Sequence, residues 1–271
     1  MRRFRCSRAS AATALCWALA ALPAQAHDTW LAWRDGAPPS QVWLAIGTGE
    51  QFPRFSSPIE RADVDEAGCR EADGRVVPLQ AQRVQGAALW LQASLGAGGT
   101  ADQGVGCWAQ TRPRRLELTA ADVQTYLHEI RAPRALLDRW ASEALAGAVW
   151  IERFSKHARI ERHRGGDGAP RQPSGLALDI VIEGAAPAVG QEFLVRVLHE
   201  GRPLAGQALQ LLGEQAPLGL WLQTDDEGRA RVRLPMAGRW LLRGTDLRPP
   251  EKTGEPWRSR FMTLAFEVPE P

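Results

Sequence analysis

A mainly β fold of two β-sandwich domains, the first carrying a helical hairpin, is what this sequence predicts. Three observations predict it. Short apolar runs broken by Gly, Pro and Asp fill residues 29–111, one strongly helical stretch spans about 119–147, and seven more short runs follow a breaker-rich segment at 165–175.

The chain opens with Arg2, Arg3, Arg5 and Arg8 and no acid, then an apolar run from Ala11 to Leu22, Pro23 and a small-x-small pattern ending at Ala26. This reads as a signal peptide over 1–26, cleaved after Ala26, and predicts a periplasmic or secreted product. A first β domain is expected over 27–164. Its runs at 29–33, 41–46, 76–82, 88–93 and 106–111 read as strands, and 47–53 (Gly-Thr-Gly-Glu-Gln-Phe-Pro) as a glycine-rich turn. No Gly-Lys-Ser follows, so the turn is not a nucleotide loop. Thr119 with Asp122 three residues on reads as a helix start, and Pro133 suits the first turn of a second helix ending before Gly147. Residues 149–162 alternate again, with Phe154, Ala158 and Ile160 on one face and Arg153, Ser155, His157 and Arg159 on a face expected to be solvated. The linker is placed at 165–175. Beyond it, 176–271 reads as an immunoglobulin-like or transthyretin-like sandwich, with strands near 176–183, 192–198, 207–212, 218–224, 230–234, 238–244 and 260–268.

Without residues 1–26 the chain keeps 29 basic and 31 acidic residues, a formal charge of −2, which argues against nucleic acid as a partner. No apolar run beyond the signal approaches the length of a membrane span, so the processed product is expected not to cross one. Cys6 and Cys16 fall in the signal, leaving Cys69 and Cys107 in a compartment that permits disulfides. One bridge is the natural reading and two free thiols the alternative. Hydrolase motifs such as Gly-x-Ser-x-Gly and His-Glu-x-x-His are missing, and the chain is read as not an enzyme.

The sharpest chemistry lies at Ala24-Gln25-Ala26-His27-Asp28-Thr29-Trp30. Cleavage after Ala26 leaves His27 first, so a free α-amine and an imidazole nitrogen on one residue can close a chelate ring on a metal. A chance histidine is the plain alternative, but a β-prone run follows at once, and a tethered terminus forms sites that a frayed one does not. Glu50, at the tip of the glycine turn, is the expected second ligand. His128 falls off the Val123, Leu127, Ile130 stripe and reads as solvated; His157 and His163 read as surface groups and His199 as part of a turn. Asp225-Asp226-Glu227-Gly228 is acidic without the spacing of a calcium loop. A copper oxygenase with a histidine brace needs a second histidine nearby, and none occurs before His128. The competing reading is a non-catalytic adhesion or carbohydrate-binding module, which ten tryptophans after residue 26 would serve as stacking platforms.

The His27-Asp28-x-Trp30-Leu31 start, residues 47–53, Thr125-Tyr126-Leu127, Glu152-Arg153-Phe154-Ser155-Lys156 and Gly238-Arg239-Trp240-Leu241-Leu242 occur in an order that is familiar. The chain resembles the secreted bacterial family catalogued as domain of unknown function 4198, some members of which accompany nickel and cobalt uptake. That resemblance covers nearly all of the chain after the signal. It implies a soluble periplasmic accessory protein that delivers or senses nickel, cobalt or copper, with a membrane metal transporter as partner and the site at or near the mature N-terminus. This chain departs from the family pattern at Phe154, where tyrosine is common, and at Arg159, where lysine is.

Overall fold

The computed structural model describes residues 27–97, 99–101, 104–162, 172–252 and 254–270. The expected signal at 1–26, His163 and most of the expected linker lie outside the described residues.

The chain is mainly β. Its first half runs β1 (Asp28–Trp33), β2 (Gln41–Gly49), β3 (Ser57–Pro58), β4 (Val64–Glu71), β5 (Val76–Pro78), β6 (Gln80–Gln85), β7 (Ala88–Ser94), β8 (Val105–Thr111) and β9 (Arg114–Leu118). Helices α1 (Ala120–Glu129) and α2 (Arg134–Leu145) lead to the long β10 (Trp150–Arg162). The second half runs β11 (Leu178–Glu183), β12 (Glu192–His199), β13 (Arg202–Pro203), β14 (Ala208–Gly213), β15 (Ala216–Gln223), β16 (Arg229–Arg233), β17 (Gly238–Arg248) and β18 (Trp257–Val268). As the sequence suggests, the Thr119 hydroxyl accepts the Asp122 N–H at 3.2 Å and caps α1.

These strands build three sheets. One holds β1, β2, β7 and β6 with β3 beside β2; one holds β11, β12 and β13 with β16 beside β12. The largest runs β15-β14-β17-β18-β10-β8-β4-β5, with β9 paired to β10. It lies between the other two, because neighbouring residues of one strand point to opposite faces. On β17, Leu241 packs with Trp30, Leu44 and Leu91 of the first sheet, while Leu242 packs with Ile180, Val195 and Val232 of the third. Ala265 and Leu264 of β18 divide in the same way. A third cluster gathers Val123, Tyr126, Leu127 and Trp140 of the helices over Trp150, Trp257 and Phe261.

The expected pair of sandwiches therefore has one sheet in common. The physical reason is the parallel pairing of β10 with β18, from Glu152↔Trp257 to Glu161↔Phe266, for which the whole stretch from β11 to β17 is the crossover connection. Residues at the described end of the expected linker are also held: Arg159 donates to the Gln172 carbonyl at 3.0 Å, Arg70 donates to that of Pro173 at 3.1 Å, and Ser174 donates to Asp179.

The polar face of β10, expected to be solvated, is exposed at Arg153 but buried from Ser155 to Arg159. Ser155, His157 and Arg159 are 9%, 3% and 2% exposed, and β11 packs against β10 there, with Asp179 facing Arg159. His157 bonds Ser155 Oγ at 3.0 Å, and its pKa is lowered to about 3, first by burial and then by the Arg260 and His199 charges nearby. It is thus neutral in the fold while the unfolded chain takes up a proton below its ordinary value of 6.5. Stability is expected to be lost as pH falls from 6.5 toward 3, at up to about 1.4 kcal/mol per pH unit. Urea denaturation of the wild type and of His157→Gln at pH 7, 5 and 4 checks this. The stability advantage of the wild type should shrink steadily with acid, and parallel pH profiles would refute it.

Cys69 and Cys107 form a disulfide, their Cα atoms 4.0 Å apart at directly opposed positions of β4 and β8. No helix among the described residues is long and apolar enough to cross a membrane.

Candidate metal centre

The site begins with strand register. Antiparallel pairing of β1 with β2 matches Asp28 to Gly49, so His27 and Glu50 are the next residues on adjacent strands and meet at the same sheet end. Gly49 is required there, since a Cβ would lie 2.4 Å from the Arg54 carbonyl oxygen and 2.7 Å from the Trp30 ring. The expected glycine turn accordingly starts later than 47: Gly47, Thr48 and Gly49 belong to β2, and the chain reverses at Gln51–Arg54. His27 Nδ1 lies 3.6 Å from Glu50 Oε1. That nitrogen is buried and has no hydrogen-bond partner among the described residues.

Bonds to the central sheet hold this end of β1 in place. The Lys156 ammonium on β10 donates to the His27 carbonyl at 2.6 Å, and the Thr263 hydroxyl on β18 donates to that of Thr29 at 2.7 Å. Burial lowers the Lys156 pKa to about 8, with Asp28 opposing the change and Arg114 adding to it. Asp28 is raised above the usual carboxylate value by burial, and Arg243 offsets this. Arg243 donates to Asp28, and its Nε and Nη2 donate to Gln210 at 2.8 and 2.5 Å. The guanidinium fork is thereby engaged on both sides.

His27 and Glu50 line a cavity of about 420 Å³ that also takes in His128, Glu129 and Arg131 from the end of α1 and Trp221 from β15. His128 is exposed, as expected, yet it faces the same cavity as His27, a juxtaposition the helical pattern alone does not reveal. Among the described residues no three His, Cys, Asp or Glu side chains converge as a metal-ligating group. The acidic and imidazole side chains paired at this spot are Glu50 and His27. Two donors 3.6 Å apart fit adjacent positions around one transition-metal ion, whose bonds to nitrogen and oxygen are about 2.0–2.2 Å.

The remaining histidines lie elsewhere. His199 Nδ1 is 2.7 Å from Asp246, beneath Arg260, and so belongs to a charged cluster and not to a plain turn. Asp225 accepts the N–H groups of Glu227 and Arg229, the hairpin chemistry expected of that acidic turn. Of the tryptophans, Trp30, Trp108, Trp140, Trp150, Trp240 and Trp257 are buried.

A model of the family described as Domain of unknown function (DUF4198) matches residues 24–245. No curated protein matches the chain. Among solved structures, the full ectodomain (Ig1–Ig3) of mouse nectin-like molecule 4 is similar at 10% identity and a TM-score of 0.17, over 90% of this chain and 66% of that one.

Proposed function

Because the chain belongs to the DUF4198 family, we propose a role drawn from its site: an exported periplasmic protein that binds nickel, cobalt or copper through an N-terminal His27. Cleavage after Ala26 supplies the amine, and Glu50 supplies a carboxylate. The bound metal would pass to or from a membrane transporter, in keeping with the uptake association of the family it resembles. The protein acts as an accessory and not as an enzyme. Its finer architecture is read as two immunoglobulin-like sandwich units that share the central sheet, with the helical pair inserted in the first.

One observation carries this reading. The imidazole nitrogen facing Glu50 is Nδ1, buried and without a hydrogen bond among the described residues, and Nδ1 is the nitrogen that closes a six-membered ring with the α-amine of its own residue. Imidazole and amine nitrogens suit all three metals, and availability selects among them. Because protons compete for the same nitrogens, binding weakens in acid. Nickel titration calorimetry on the processed protein is the test. His27→Ala is expected to weaken binding at least about tenfold, or 1.4 kcal/mol, and Glu50→Ala by a smaller factor. Unchanged affinity in His27→Ala would end the proposal.

The adhesion or carbohydrate reading has one feature in its favour, a groove of about 890 Å³ lined by Trp33 and Trp43. Arginines already occupy these ring faces: Arg162 lies 4.3 Å from the Trp33 centroid, and Arg34 lies 5.4 Å from that of Trp43. A sugar would have to displace them, so the metal reading is preferred.

A further inference from the structure

The cavity beside His27 is much larger than one ion requires. About 420 Å³ falls in the range of small-molecule sites, whereas a water molecule takes up about 30 Å³. Its charged groups also differ in what they already hold. Arg243 is committed to Asp28 and Gln210. Arg131 is exposed, makes no ion pair among the described residues, and rests its guanidinium 4.4 Å from the centroid of the Trp221 ring. It directly follows the Ile130 cap of α1 with φ of 50°, a conformation costly for a residue with a side chain. Trp221, on β15, is half-buried, so the guanidinium is held against a fixed wall and keeps its edge for a ligand. Glu129 lines the same cavity and disfavours a free polyanion there, but not one whose charge a metal partly neutralises.

We infer that the metal is taken up as a complex with a small polycarboxylate, with His27 and Glu50 on the metal and Arg131, backed by Trp221, on a free carboxylate of the chelator. This rests on the metal reading above and names its substrate class. Two protein side chains and an amine leave coordination positions for chelator oxygens, and an arginine fork suits a carboxylate that the metal does not use. No bond is made or broken beyond ligand exchange at the metal.

The test is equilibrium dialysis of the processed protein against labelled citrate, with and without one equivalent of nickel, alongside nickel alone. The expected result is about one citrate retained per chain only when nickel is present. Arg131→Ala should weaken citrate retention at least about tenfold while leaving affinity for nickel alone within about twofold. Arg131→Lys should recover part of the loss, since it keeps the charge without the fork. Nickel retained from a nickel citrate mixture with no citrate held beside it, or citrate stripping nickel from the protein, would overturn this inference and leave the metal reading standing. Citrate held equally with and without nickel would overturn it as a plain anion site. Absence of binding by nickel and by nickel citrate would overturn both.

Discussion

Arg159→Met is expected to destabilise the folded chain by about 3–5 kcal/mol. The side chain is 2% exposed, between Glu161 at 0% and Asp179 at 3%. Its Nε donates to Glu161 at 2.7 Å and its Nη1 reaches both Asp179 oxygens at 3.2 and 3.3 Å. Burial works against its charge, but the Asp179 and Glu161 carboxylates outweigh that and hold its pKa above the usual value. Methionine fills a similar volume and removes the cation, so that Glu161 and Asp179 each lose the buried guanidinium that pairs with them. That loss sets the size of the effect. Adding Glu161→Gln to Arg159→Met should therefore recover part of the loss, so that the two changes are far from additive. Urea denaturation at pH 7 provides the measurement. A loss below about 1 kcal/mol would mean that the guanidinium is not what holds β10 to β11.

Replacing both Cys69 and Cys107 by alanine is expected to cost about 3–4 kcal/mol. The bridge closes 38 residues, and the chain-entropy model gives about that much for such a loop. Both residues are fully buried, so alanine also loses packing in the core cluster that includes Leu44 and Leu91. The bridge matters for β4 in particular, whose Val-Asp-Glu-Ala-Gly-Cys-Arg-Glu sequence has few apolar side chains of its own to hold it beside β8. Denaturation of the double variant checks the magnitude. Thiol titration of the denatured, unreduced wild type after signal removal should find no free thiol.

Much of the layout is legible in the chain because it is local. The runs at 41–46, 88–93 and 192–198 are apolar enough to be strands in any context, and Thr119 marks the start of α1 through a bond three residues long. β4 escapes the pattern because the disulfide and its neighbours, not its own alternation, make it a strand. The shared sheet escapes it for a different reason: the β10–β18 pairing joins residues about a hundred apart, and no short window contains both. Arg159 reads as a solvated group because its charge is visible in sequence while its partner Asp179 sits on another strand. At the site, His27 and Glu50 stand out from the mature start and the glycine turn. Arg131, Trp221, Arg243 and His128 do not, since they come from α1, the turn after it, β15 and β17 and meet only in the folded chain. A lone arginine after a helix carries no sequence signal; its φ of 50° and its place over Trp221 are tertiary facts.

If the α-amine and Nδ1 of His27 hold the metal together, a single residue added in front of them must break the ring. Protein that begins at His27 and protein that begins with one extra alanine before it are to be titrated with nickel by calorimetry under the same conditions. The extension leaves every side chain in place and turns the amine into a peptide nitrogen. Affinity is expected to fall at least about tenfold. Adding His27→Ala to the extended protein should then weaken binding little further, since either change removes the same ring. An extended protein that binds nickel as tightly as the processed one would mean that the His27 amine is not a ligand.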